Sequence, residues 1–253
     1  MTAVGQTLSA LAPTAGAVVL LMAITVAVLT WSRSPHRFAP AIAVVRGAVQ
    51  LGLISLVLGG VITSPLWVAC ALLVMFTVAA ATATRRIGFT REHVLLMAVG
   101  MGLGVVVTLA VVFTTGAIEA EPRYFLALGG IVIGNTMSIA TLAGRRLRES
   151  TLERWDEVEG WLALGATPRS ATLDMARTAV YSALIPSTDQ TKTTGLVTLP
   201  GAFVGAIFGG ISPLEAGRFQ IVVLASIMAA GALTAVVLVH GLAPAGVRPD
   251  ALD

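Results

Sequence analysis

The sequence predicts an all-α fold, a polytopic transmembrane helix bundle of about seven spans with one cytoplasmic insertion. Three observations predict it. Of the 253 residues, 56% are hydrophobic and 11% charged, with a mean hydropathy of +0.90, whereas a soluble domain carries about 25% charged residues. The apolar residues come in runs long enough to cross a bilayer, which takes about 20 residues each. The Lys and Arg side chains fall between those runs, so the net charge of +3 reflects topology. No basic stripe with interleaved aromatics points to nucleic acid.

Taken in order, the expected spans are residues 12–31, 40–59, 65–83, 93–113, 124–143, 194–211 and 219–242. The first is preceded by no Lys or Arg and so reads as a retained span with its amino terminus outside, not as a signal peptide. The sixth is the least hydrophobic and the richest in glycine. With the amino terminus outside, thirteen of the 16 basic residues fall on the cytoplasmic side. They are Arg33, Arg37, Arg85, Arg86, Arg91, Arg145, Arg146, Arg148, Arg154, Arg169, Arg177, Lys192 and Arg248. Cytoplasmic loops carry such an excess, so the expected topology is N-out, C-in. Cys70, the one cysteine, lies in an apolar run and reads as a small hydrophobe.

Residues 145–192 form the one long charged segment, with seven basic and seven acidic side chains. Leu152, Trp155, Val158 and Leu162 recur at three- and four-residue spacing, which predicts an amphipathic helix over 149–165. Gly165 ends it, and Pro168 suits the start of a second helix. The apolar stretch 176–185 that follows is too short to span and reads as interfacial, re-entrant or half of a broken helix.

Polar residues within or beside the spans are the candidate functional groups. Arg46 and Gln50, four apart, share one face of the second span. A cation near the bilayer centre is a functional candidate by default. Arg46 also lies only six residues from Pro40, about 9 Å deep, within reach of snorkelling; pathway lining and anchoring both stand. Asn135 and Ser138 share a face of the fifth span and call for partners on other helices. Asp189 and Lys192 are spaced to pair on one helical turn, in a solvated loop or at a gate by the cytoplasmic mouth of the sixth span. Gly201, Gly205 and Gly209 repeat every four residues, a pattern for close helix packing.

For docking, Trp161, Leu164, Gly165 and Ala166 supply a small apolar tip in the cytoplasmic insertion, with Glu159 and Arg169 as its charged rim. Several chemistries are missing. No P-loop follows the glycine-rich run. His36, His93 and His240 are scattered, with no thiol or carboxylate at ligand spacing. Neither catalysis nor a cofactor bound by this chain is expected.

Particular runs carry a family resemblance. They are Gly134-Asn-Thr-Met137, Trp161-Leu-Ala-Leu-Gly-Ala-Thr167, and the region from Ile185-Pro186 through Leu199-Pro-Gly201 to Gly209-Gly210, followed by Ser212-Pro213 and Gln220. With Arg46, Gln50 and Pro122-Arg-Tyr124, these resemble the FetB-type permeases, membrane subunits of a small ABC transporter family implicated in iron export, with a plant branch linked to aluminium tolerance. The resemblance covers most of residues 46–231. It implies a homodimer in a bacterial plasma membrane, a separate cytoplasmic ABC ATPase that carries the ATP, and a coupling helix within 145–192. Glu159 and Gly165 are similar to the Glu-Ala-Ala…Gly loop of ABC permeases, with Gly160 and Trp161 in place of the two alanines.

The expected function is therefore the membrane subunit of an ABC transporter, exporting a metal ion such as iron or a metal-linked solute. The alternative is a stand-alone ion-coupled secondary transporter. Such carriers use acidic residues at mid-membrane, and here every Asp and Glu lies outside the six clear spans.

Overall fold

A computed structural model describes residues 3–61, 64–243 and 247–248, with side chains over 12–55, 64–243 and 247–248. The described residues form ten helices: α1 (Ala3–Trp31), α2 (Ala39–Val61), α3 (Pro65–Ile87), α4 (Arg91–Thr114), α5 (Pro122–Glu153), α6 (Trp155–Ala163), α7 (Pro168–Ala171), α8 (Leu173–Thr193), α9 (Gly201–Phe208) and α10 (Pro213–Leu242). The first two form one compact unit and α3–α10 another.

The helix boundaries follow local chemistry. Pro65, Pro122 and Pro213 open α3, α5 and α10, where a missing N–H costs nothing and φ is already helical. Thr90 and Ser212 accept from the backbone N–H of His93 and Glu215, caps worth about 1 kcal/mol each. Gly88, at φ 115°, turns the chain from α3 towards α4 in a conformation that a Cβ disfavours.

In the first unit, α1 and α2 pair as a hairpin around a turn in which Arg33 and His36 hold positive φ. In the second, α5 is the central rod, packed on α3, α4, α8 and α10. Its 32 residues span about 48 Å at 1.5 Å per residue, well beyond the ~30 Å of a hydrocarbon core. Leu128, Val132, Ile139, Ala140, Ala143 and Leu147 bury its faces.

Helix α4 packs backbone to backbone against α10. A Cβ on Gly104 would sit 2.5 Å from the Ala230 carbonyl oxygen, and one on Gly100 3.4 Å from that of Thr234. Thr234 donates across the seam to the Gly100 carbonyl at 3.3 Å. Glycines four apart on one helix allow this backbone contact.

Three sequence expectations are corrected. First, residues 194–211 do not form a continuous span. Gly195 turns at φ 87°, Thr194 bridges to Thr198, and α9 is only eight residues long, about 12 Å. Second, the segment read as a ten-residue fragment belongs to α8, 21 residues long and about 31 Å, packed against α5 and α10. Its charges, Asp174, Arg177, Asp189 and Lys192, lie near its two ends, and Pro186 lies inside it, which shortened its apolar run in the sequence. Third, the helix expected over 149–165 is broken at Arg154: residues up to 153 continue α5, and α6 starts anew. The segment between α5 and α8 is therefore much shorter than 145–192.

Among the described residues, five helices are long and apolar enough to cross a membrane: α1, α3, α4, α5 and α10. The described part of α2 adds a shorter apolar helix, Ala39–Ser55.

Candidate functional site

At one pole of the second unit, α3, α5 and α10 end and α4 and α8 begin. The Arg145 and Arg148 guanidiniums donate to the Arg86 and Ile87 carbonyls, at 3.3 and 2.8 Å. Cations thus meet the carbonyl-rich end of α3. The short α6 and α7 pack on each other beside it. The apolar face read from the sequence is the buried one: Trp155 and Val158 are core residues, with Leu162 packed against them.

The opposite face carries the tip. Trp161 is 51% exposed and Leu164 82%. Gly165 turns at φ 87°, with open space where a Cβ would point, so the chain reverses there without steric cost. Thr167 then caps α7 by accepting from the Ser170 N–H. Glu159 accepts from the Trp155 indole N–H at 2.5 Å, so it also braces the buried ring. Arg169 is exposed on α7. Trp161 and Ala166 share a small cavity of about 230 Å³ with Arg154, Glu157, Ser170 and Asp174. Four of the six predicted docking residues, Trp161, Leu164, Gly165 and Ala166, thus form one corner.

The other pole gathers the end of α4, the start of α5, α9 and the start of α10. A cavity of about 420 Å³ lies there, lined among others by Glu119, Tyr124, Ala206, Glu215, Arg218 and Phe219. Asp189 and Lys192 pair at 3.2 Å and are mostly exposed, a contact worth at most about 1 kcal/mol. They occupy the last turns of α8, whose chain runs directly on to α9, so they lie towards this pole and away from the α6–α7 corner. Because residues 194–211 do not form a continuous span, the pair does not stand at the mouth of one there, as expected.

The remaining predicted residues are dispersed. Arg46 and Gln50 are exposed on α2, in the first unit. Asn135 and Ser138 satisfy themselves within α5, donating to the Ile131 and Gly134 carbonyls four residues back, and not across to another helix as expected. Gly201 and Gly205 have nothing within 4 Å of an added Cβ, and Gly209 meets only carbonyls of its own helix. Within this chain the close packing of helices on glycines four apart is made by Gly100 and Gly104, whose spacing carried the same signal. Among the described residues no group of three His, Cys, Asp or Glu could hold a metal ion. Sequence reasoning also missed three buried polar atoms without a hydrogen-bond partner among the described residues: Thr108 Oγ1, Gln220 Oε1 and Ser226 Oγ.

Long apolar helices around a central rod, with charged corners at the two poles, define an integral membrane protein. The chain belongs to the uncharacterised protein family UPF0014, which it matches over residues 13–245. It is similar to the UPF0014 membrane protein STAR2 of Oryza sativa subsp. japonica, with 38% identity over 80% of this chain and 72% of the relative. It is also similar to the protein ALUMINUM SENSITIVE 3 of Arabidopsis thaliana, with 33% identity over 88% and 82%. A third relative is the probable iron export permease protein FetB of Escherichia coli (strain K12), with 32% identity over 63% of this chain and 61% of the relative. No solved structure matches the chain.

Proposed function

We propose that this chain is the membrane subunit of an ABC transporter that exports a metal ion such as iron, or a metal-linked solute, powered by a separate cytoplasmic ATPase. The observation that carries the reading is the α6–α7 corner. A helix that docks into a cleft needs an apolar anchor with polar contacts around it. Here Trp161 and Leu164 are exposed beside the Gly165 turn, with the exposed Arg169 following on α7. The relative named as a probable iron export permease supplies the direction and the cargo.

In this reading seven helices cross the plasma membrane: α1, α2, α3, α4, α5, α8 and α10, with α8 in the place first expected of residues 194–211. The amino terminus is outside and the α6–α7 pole is cytoplasmic. Charge supports this orientation. In α3–α10 the pole with α6 and α7 carries nine arginines, Arg85, Arg86, Arg91, Arg145, Arg146, Arg148, Arg154, Arg169 and Arg177, against Arg123, Lys192 and Arg218 at the other. Moving Lys192 outside leaves the excess intact. Two copies form the translocating unit.

The experiment is reconstitution with the partner ATPase. Leu164→Arg should weaken copurification of the ATPase and abolish ATP-driven export, with normal membrane insertion. Export from proteoliposomes without any ATPase, driven by an ion gradient, would replace this reading by a secondary carrier.

A further inference from the structure

We propose that Arg85, Arg86 and Arg145 hold the phosphate of an anionic phospholipid, whose acyl chains lie on the exposed faces of α3 and α5 beside them. The inference needs only that the chain is embedded in a membrane, and it stands apart from the transport reading.

The charges come first. Arg146, Arg154 and Arg177 are each met by a carboxylate three residues away, on Glu149, Glu157 and Asp174. Arg85, Arg86 and Arg145 are exposed, and among the described residues none of them has an acidic partner. They are also held together. Arg145 Nε donates to the Arg86 carbonyl at 3.3 Å, which brings a guanidinium of α5 to the last turn of α3, where Arg85 and Arg86 stand. That bond uses one donor and leaves the two Nη groups of Arg145 for another acceptor. Like charges gathered without a counter-ion repel one another, and a phosphate matches the planar fork of each guanidinium.

The surface beside the cluster selects a lipid over a free anion. Val78 and Val74 lie seven and eleven residues before Arg85, so all three share one face of α3, and both valines are exposed. Ser138 and Gly134 stand in the same relation to Arg145 on α5, and both are exposed as well. A Cβ on Gly130 would lie 3.0 Å from the Met75 methyl of α3, whereas one on Gly134 meets nothing within 4 Å. The exposed edge of the α3–α5 contact is therefore shallow on the side nearer the arginines. Eleven helical residues cover about 16 Å, half of the ~30 Å hydrocarbon core, which is the depth an acyl chain occupies. Basic groups beside transmembrane helices, at headgroup depth, are the chemistry that recognises anionic lipids.

The test uses the full chain purified in detergent, titrated with phosphatidylglycerol or with phosphatidylcholine of the same acyl chains, and read by native mass spectrometry. The wild type should retain one phosphatidylglycerol per chain, roughly tenfold tighter than phosphatidylcholine. Arg85 makes no hydrogen bond or ion pair among the described residues, so its replacement disturbs no internal contact. Arg85→Gln should weaken phosphatidylglycerol by about fivefold, and Arg85→Gln with Arg86→Gln by roughly thirtyfold. Phosphatidylcholine should not respond. Arg177→Gln removes the same charge from a cation already paired with Asp174 and should leave phosphatidylglycerol binding unchanged. Equal retention of the two lipids by the wild type overturns the site. Equal weakening by Arg85→Gln and Arg177→Gln also overturns it, by showing a general effect of charge. Release of the lipid by inorganic phosphate would assign the arginines to a free anion. An Arg85→Gln chain that keeps its lipid but loses copurification of an ATPase would assign them to a protein partner, and either result ends the lipid proposal.

Discussion

Thr172 joins the start of α8 to the end of α10. Its hydroxyl, fully buried, donates to the Ala243 carbonyl at 2.5 Å, across 71 residues of sequence, and also lies 3.1 Å from the Pro168 carbonyl. One side chain thereby fastens the α6–α7 corner to two long helices. Thr172→Val keeps the shape but leaves the Ala243 carbonyl buried without this partner, a loss of about 1–3 kcal/mol. The expected outcome is a lower thermal midpoint in detergent, together with reduced ATP-driven export. A midpoint equal to wild type would mean that the contact adds no stability.

The α4–α10 seam and the α9 glycines make a contrasting pair. Gly104→Val places a side chain against the Ala230 backbone, where neither wall can rotate away, and overpacking of this kind costs about 1–3 kcal/mol or more. At Gly205 an added Cβ meets nothing within 4 Å, so Gly205→Leu should leave the monomer's midpoint unchanged. If α9 lies at the contact between two copies, the same variant should abolish the crosslinked dimer. A Gly205→Leu chain with normal crosslinking shows that α9 faces lipid or water.

Arg46 separates two roles by chemistry. If its guanidinium lines the pathway with Gln50, Arg46→Ala should abolish export while expression and ATPase copurification stay normal. Near-normal export from both Arg46→Ala and Arg46→Lys would assign it to snorkelling at the interface.

Side-specific labelling tests whether α8 crosses the membrane. Cys70 is the only cysteine, so a Cys70→Ser background is free of thiols. In intact cells an impermeant maleimide should label Leu196→Cys and leave Leu164→Cys untouched until the membrane is opened. Equal protection of both positions would show that α8 does not cross.

Much of the bundle was legible from hydropathy alone, because α3, α4, α5 and α10 each present long aliphatic runs to lipid. The amphipathic seam through Trp155 and Val158 was also legible, since a period near 3.6 survives the break at Arg154. The misreading of α8 has a definite cause. Its polar atoms are spread along the helix and several turn inward: the Thr188 hydroxyl contacts Met228 Sδ at 4.0 Å, and Thr191 donates to the Ser187 carbonyl. Hydropathy counts such groups as fully wet, whereas here they are half-buried and hydrogen-bonded or packed. The glycines mislead for a related reason. Gly201 and Gly205 carry the same four-residue signal as Gly100 and Gly104, but only the latter pair faces small groups, at Ala230 and Thr234. A one-dimensional pattern names a groove and not the ridge that fills it.

The length of α5 has a mechanical consequence. It is unbroken from Pro122 to Glu153, and a stiff rod of about 48 Å tilted by only ~5° moves one end by roughly 4 Å relative to the other. Because α5 touches α3, α4, α8 and α10 at once, such a tilt would loosen some of these contacts and tighten others in a single stroke. A nudge delivered at Glu153 would thus arrive at Tyr124, at the other pole of the unit, as a displacement larger than the width of a water molecule.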